Sequence, residues 1–138
     1  MAFENVSGGW ELRNRYFKGC RGRKDISYLP RSRDGPSTEC VVFEGFIDYL
    51  SALTLDIISG ADAIILNSVV NVNKAVPYLK GYTAINCYLD NDNAGQTALA
   101  ELTAIYGSTV IDHSTLYSES NDLNDFLVNR SFTQNTIS

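Results

Sequence analysis

Four short apolar runs, at residues 40–43, 63–66, 84–89 and 109–111, alternate along the chain with stretches of helical period. Residues 46–59 place Phe46, Leu50, Leu53 and Ile57 on one helical face, and Gly60 stops the run. Residues 71–79 form a weaker helix, interrupted by Pro77 and ended by Gly81. Residues 94–106 form the clearest one. Asp92 or Asn93 caps it, Ala98, Leu99, Leu102 and Ile105 face inward, and Gly107 closes it. A short last helix begins over 124–128. Such alternation predicts an α/β fold: a Rossmann-like, four-stranded parallel sheet with helices on both faces and right-handed crossovers.

The length of 138 residues suits one compact domain. With 44% hydrophobic and 20% charged residues the chain is globular rather than disordered. No apolar run is long enough to span a bilayer. Met1-Ala2-Phe3-Glu4-Asn5 has neither the basic start nor the apolar stretch of a secretory signal. The expectation is a cytoplasmic protein without membrane partners. Cys20, Cys40 and Cys87 are too few and too scattered for a disulfide framework or a zinc site.

Charge is unevenly spread. Residues 1–33 carry eight basic and three acidic groups, whereas 34–138 carry three basic and thirteen acidic ones. A breaker cluster at 33–37 separates the two halves. The expected division is a small, β-rich basic segment (1–36), an α/β domain (37–128) and a polar tail (129–138). In the first, Arg13, Arg15, Lys18, Arg21, Arg23 and Lys24 are interleaved with Trp10, Tyr16, Phe17 and Tyr28. Cations track a phosphate backbone and aromatic rings stack on bases, so these six residues are the candidate nucleic-acid contacts. A merely solvated basic face is the plain alternative.

Acidic residues follow three of the four apolar runs. Glu44 ends the first, with Asp48 one helical turn on; Asp90-Asn91-Asp92 ends the third; Asp122 follows the fourth. Parallel sheets bind ligands at this edge. Taken singly, each acid has an ordinary role at a helix start. Together they repel one another unless a hard cation such as Mg²⁺ or Mn²⁺ lies between them. Asp90, Asp92, Asp48 and Asp122 are therefore the candidate metal ligands.

Glu44-Gly45-Phe46-Ile47-Asp48, Tyr88-Leu89-Asp90-Asn91-Asp92-Asn93-Ala94-Gly95 and Asp122-Leu123-Asn124-Asp125-Phe126-Leu127 together resemble the three motifs of the Toprim domain. Topoisomerases, some nucleases and bacterial (DnaG-like) primases share that domain. The primase version looks most similar, of a bacterial, plasmid or mobile-element kind, over about residues 38–128. Residues 1–33 resemble the end of the subdomain that precedes Toprim in such primases. Two positions depart from the pattern: Gln96 replaces a usual Arg or Lys, and Asn124 a usual Asp.

The resemblance implies a primase core that makes RNA primers on single-stranded DNA from nucleoside triphosphates, beside a replicative helicase. Glu44 is then the catalytic residue, as metal ligand or as general base. The other readings are a Toprim nuclease and a non-catalytic module that binds metal and nucleic acid. His113, the one histidine, is read as structural, and Ser68 as a turn residue.

Overall fold

The computed structural model describes residues 1–14, 16–30 and 37–137, with side chains to Arg130. The breaker cluster at 33–36 and the basic residues Arg15, Arg31 and Arg33 lie outside the described residues.

The expected parallel sheet is present. Strands β5 (Glu39–Phe43), β6 (Asp62–Ile65), β7 (Ala84–Tyr88) and β8 (Val110–Asp112) alternate with helices α1 (Phe46–Thr54), α2 (Val72–Leu79) and α3 (Asn93–Tyr106). A last helix, α4 (Leu123–Ile137), continues past the expected 124–128 into the polar tail. Strands β5, β6, β7 and β8 pair in parallel. The register sets Val42 beside Ile64 and Cys87.

Side chains alternate between two cores, as the period of a strand requires. Cys40, Val42, Ile85 and Cys87 face Val72, Ala75, Leu79, Ala98 and Leu102 of α2 and α3. Val41, Phe43, Ile65 and Tyr88 face Tyr49 and Ala52 of α1, together with Tyr117 and Leu123. Strands covered on both sides carry no polar face, which is why these runs read as continuously apolar.

The sheet has a fifth strand. The segment before residue 37 contributes β1 (Ala2–Glu4), β2 (Trp10–Arg13), β3 (Lys18–Arg21) and β4 (Ser27–Leu29). The first three form an antiparallel sheet of their own, while β4 joins the edge of the large sheet antiparallel to β6. The expected boundary near residue 36 thus falls after a strand that belongs to the large sheet. The two parts are also tied by Val6 N–H donating to Ile26 O (2.8 Å) and the Ser27 hydroxyl donating to Glu4 O (2.9 Å).

Helix α1 stops at Thr54, five residues short of the expected Ser59. Asp56 adopts the left-handed conformation at φ 56°. Ile57 N–H then bonds Ala52 O (3.3 Å) and Asp56 N–H bonds Leu53 O (3.2 Å), the pair of bonds that closes a helix through a left-handed residue. A short polar Asp tolerates that conformation, so the helix ends before the glycine that signals a stop in the sequence. Among the described residues no helix is long and apolar enough to cross a membrane.

Candidate functional site

β5 and β7 end side by side, and the residues after them build the site. Glu44, half-buried, accepts the main-chain N–H of Asp90 on Oε2 at 3.3 Å. Asp48, in the first turn of α1, is only 8% exposed. Its Oδ1 accepts the N–H of Asn124 at 3.1 Å, which pins the start of α4 to α1. The Ser51 hydroxyl reinforces that junction, 2.9 Å from Ile47 O and 3.2 Å from Asn124 Oδ1. Asp122 accepts the Asp125 N–H at 2.8 Å and so starts α4.

Glu44, Asp48, Asp90 and Asp122 line one cleft of about 160 Å³, with Phe3, Arg13 and Lys18 opposite. Asp90 Oδ1 is buried and has no hydrogen-bond partner among the described residues. Burial, then the charges of Glu44, Asp48 and Asp122, push the Asp90 carboxyl up to about 8. Burial and the charge of Asp122 push Asp48 up to about 7. Burial also raises Glu44, against the Asp90 N–H, a hydrogen bond from the Asp90 carboxyl and the Lys18 ammonium, which favour its charged form. The cleft therefore resists ionising Asp48 and Asp90 together unless a positive charge lies among them.

Asp92 stands apart. It is exposed, and its Oδ1 accepts the Gly95 N–H at 2.8 Å as the cap of α3. It is not among the residues lining the cleft, although its charge raises the Glu44 carboxyl. Gly95 is explained by the same turn. A Cβ there would sit 2.1 Å from Asp90 O, so glycine lets α3 pack against the chain that carries Asp90. Among the described residues no three His, Cys, Asp or Glu side chains are already gathered as a coordination set.

The basic residues divide between two faces of the small sheet. Arg13 pairs with Lys18, and Glu11 pairs with both Phe3 and Cys20; directly paired residues share a face. This face meets the large sheet, where Phe3 stacks on Phe46 with centroids 3.6 Å apart. Arg13 and Lys18 therefore look into the carboxylate cleft. Lys18 and Lys24 also line a neighbouring recess of about 240 Å³ with Asn67, Ser68 and Asn71. Arg21 pairs with Trp10 on the outer face. There the Phe17 ring occupies the space a side chain at position 19 would need. Trp10 and Phe17 are 45% and 55% exposed. Arg23 is exposed, and its carbonyl accepts the Asn5 amide at 2.7 Å.

The bonds made by two asparagines were not visible in the sequence. Asn124, where the motif usually has Asp, uses its main-chain N–H on Asp48. Asn91, between two aspartates, turns away from the cleft and holds the segment before Asp122. Neither carries a sequence signal, because asparagine in a loop is ordinary turn chemistry. His113 stacks on Tyr88 at 4.7 Å, and its Nε2 lies 2.8 Å from Asn86 Oδ1. It is not among the residues lining the cleft.

The family described as Toprim-like matches residues 41–127. A domain of unknown function (DUF8464) matches residues 1–22. No curated protein sequence matches the chain. Among solved structures, the fold is similar to the primase fragment of the bacteriophage T7 primase-helicase protein. The TM-score is 0.67 at 18% identity, over 93% of this chain and 56% of that one. It is also similar to a T7 assembly in which lagging-strand DNA polymerase interacts with primase domains bound to an RNA/DNA hybrid and dTTP. That match has a TM-score of 0.61 at 15% identity, over 94% of this chain and 70% of the other. The chain thus spans little more than half the length of the T7 primase fragment.

Proposed function

The chain belongs to the Toprim-like family, and from that footing we propose that it is the catalytic core of a DNA primase, joining ribonucleotides on a single-stranded DNA template. One observation carries the reading. Glu44, Asp48, Asp90 and Asp122 converge on one cleft, and Asp90 Oδ1 is buried there without a partner. A buried carboxylate oxygen left without a partner is costly, and a site for phosphoryl chemistry gives that cost a purpose.

The donor set fits a hard divalent cation, Mg²⁺ or Mn²⁺. Such an ion needs only one or two carboxylates, with water and phosphate oxygens completing its shell. Asp90 would hold it together with Asp48 and Asp122, the aspartates that line the cleft, while Asp92, the other expected ligand, caps α3 beside it. Its chemistry there is to offset phosphate charge and lower the barrier to displacement at phosphorus.

The chain's own groups do the rest. Glu44 accepts the proton of the attacking 3′-hydroxyl, a task suited to a half-buried carboxylate whose pKa is raised. The hydroxyl oxygen bonds the α-phosphorus as pyrophosphate leaves. Lys18 and Arg13 face the nucleotide's phosphates across the cleft. Arg21, Arg23 and Lys24 attract the template backbone, and Trp10 and Phe17 offer faces for bases to stack on. A helicase is the natural larger partner, since one similar structure is part of a primase-helicase protein.

Incorporation of labelled ribonucleotides on a single-stranded template with Mn²⁺ tests the reading. Product from the wild type and none from Asp90→Ala is the expected result. Metal-dependent cutting of plasmid DNA without primer synthesis would mark a nuclease instead. Gln96 favours a non-catalytic module, because it removes a cation from the first turn of α3. Metal and DNA binding with neither activity would identify that case.

A further inference from the structure

The middle residue of Asp90-Asn91-Asp92 points away from the cleft into the segment that carries Asp122. Asn91 Nδ2 lies 2.9 Å from Ser120 O and 3.0 Å from Tyr117 O, with Ser114 O further off at 3.5 Å. A carboxamide has two N–H donors, so the two short bonds use both. The Asn91 main-chain N–H adds a third tie, to Asn121 O at 2.6 Å. Asn121 immediately precedes Asp122.

Tyr117 anchors the middle of this segment in the core and Ser114 N–H bonds Asp112 Oδ1 at 2.9 Å, but its C-terminal end, next to Asp122, is tied to the Asp90 turn through Asn91. Ser114 and Tyr117 are buried, while Thr115, Leu116, Ser118, Glu119 and Asn121 are exposed. The Tyr117 hydroxyl donates to Leu89 O at 2.7 Å, on the same turn that bears Asp90. One residue thus carries its carboxamide into the Asp122 segment while its neighbour Asp90 faces the cleft. Alanine offers no donor, and aspartate would set negative oxygens against carbonyl oxygens.

We propose that Asn91 is a positioning residue, which fixes the end of the 114–121 segment and so holds Asp122 in the cleft that Asp90 also lines. The inference rests on the metal-dependent reading above and adds to it a residue that touches neither metal nor substrate. Partners of this kind, behind the ligands, typically change metal affinity by about 10–100-fold.

The test uses the full chain, with Mn²⁺ affinity from calorimetry and hydrogen exchange at 114–122. Asn91→Ala should weaken Mn²⁺ binding roughly tenfold and speed exchange at 114–122 while leaving α3 unchanged. In an Asp122→Ala background the same change should cost nothing more, because Asn91 acts through Asp122. A merely structural contact would give independent, additive losses. If Asn91→Ala does not fold, Asn91→Ser, which keeps one donor, should show the same pattern at smaller size. Unchanged exchange, additive losses, or an Asp122→Ala protein with wild-type affinity would each overturn the proposal. A wild type that binds no Mn²⁺ would overturn the metal reading itself, and the role of Asn91 in it, whatever exchange shows.

Discussion

Glu44 and Asp90 are joined across the ends of two neighbouring strands: Oε2 of the first accepts the main-chain N–H of the second at 3.3 Å. The carboxylate is thereby fixed by backbone as well as by its side-chain hydrogen bond with the Asp90 carboxyl. Gln in place of Glu44 retains an oxygen that can accept this N–H. It lacks the basicity to take a proton.

Glu44→Gln should therefore fold normally and lose primer synthesis by about 10²–10⁴-fold, the usual worth of a positioned general base. His113→Ala should keep synthesis near wild type, since that ring serves Tyr88 and Asn86 and does not line the cleft. Circular dichroism would confirm folding of both, in the same preparations used for ribonucleotide incorporation. Near-normal synthesis by Glu44→Gln would move the chemistry elsewhere and leave the non-catalytic reading in its place.

Without a cation, stability should fall as pH rises. Asp48 and Asp90 are raised from an ordinary 3.8 to about 7 and about 8. Between those limits the folded protein holds protons that the unfolded chain releases. The unfolded state then binds fewer protons, and the slope of stability against pH is negative. Thermal midpoints measured in chelator should drop between about pH 4 and pH 8. Mn²⁺ should restore the midpoint most at the upper end. Asp90→Asn should flatten the profile and, in chelator at high pH, melt above the wild type. A profile rising with pH would contradict the crowding argument.

The strands that precede Glu44 and Asp90 were legible because both of their faces pack on core, so Cys40–Phe43 and all of Ala84–Tyr88 except Asn86 are apolar. The carboxylates were legible because they follow those strands directly. Other features were hidden for physical reasons. Asp56 ends α1 in a left-handed conformation that sequence assigns to Gly60. Strand β4 is three residues long and joins the large sheet from the far side of a breaker cluster. In extended chain, residues two apart such as Asp90 and Asp92 would share a side, but β7 ends at Tyr88. Past that point the chain turns, and Asp92 caps a helix.

Removing residues before Ser37 would strip β4 from the sheet, so point changes are the sound probe of nucleic-acid binding. Arg13 and Lys18 face the cleft, whereas Arg21 lies outside with Trp10. If Arg21 meets template phosphate, Arg21→Ala should weaken single-stranded DNA binding and reduce the salt slope by roughly one counterion's worth. Trp10→Ala should weaken binding by about 1–3 kcal/mol with the salt slope unchanged, the signature of lost stacking. Equal salt slopes for Arg21→Ala and wild type would exclude a phosphate contact there.

Gly95 gives the sharpest link between packing and the site. A Cβ at that position would lie 2.1 Å from Asp90 O, 2.9 Å from Asp90 C and 3.0 Å from Asp90 N. All three are backbone atoms, so no side chain can swing aside. Either α3 must move off the strand end, or the Asp90 turn must open. The first loosens the packing of Ala98 and Leu102 against the sheet. The second breaks the Asp90 N–H bond to Glu44. Gly95→Ala should therefore destabilise the fold by about 1–3 kcal/mol, the usual cost of forced overpacking, even though alanine is the better helix former. Where the variant still folds, Mn²⁺ affinity should fall with stability, because the atoms displaced belong to Asp90. A control at an exposed site of the same helix, Gln96→Ala, should be nearly silent in stability. Paired melts and Mn²⁺ titrations on the two variants would decide it. A Gly95→Ala protein as stable as wild type would mean that the close approach of α3 to Asp90 is not what holds this turn.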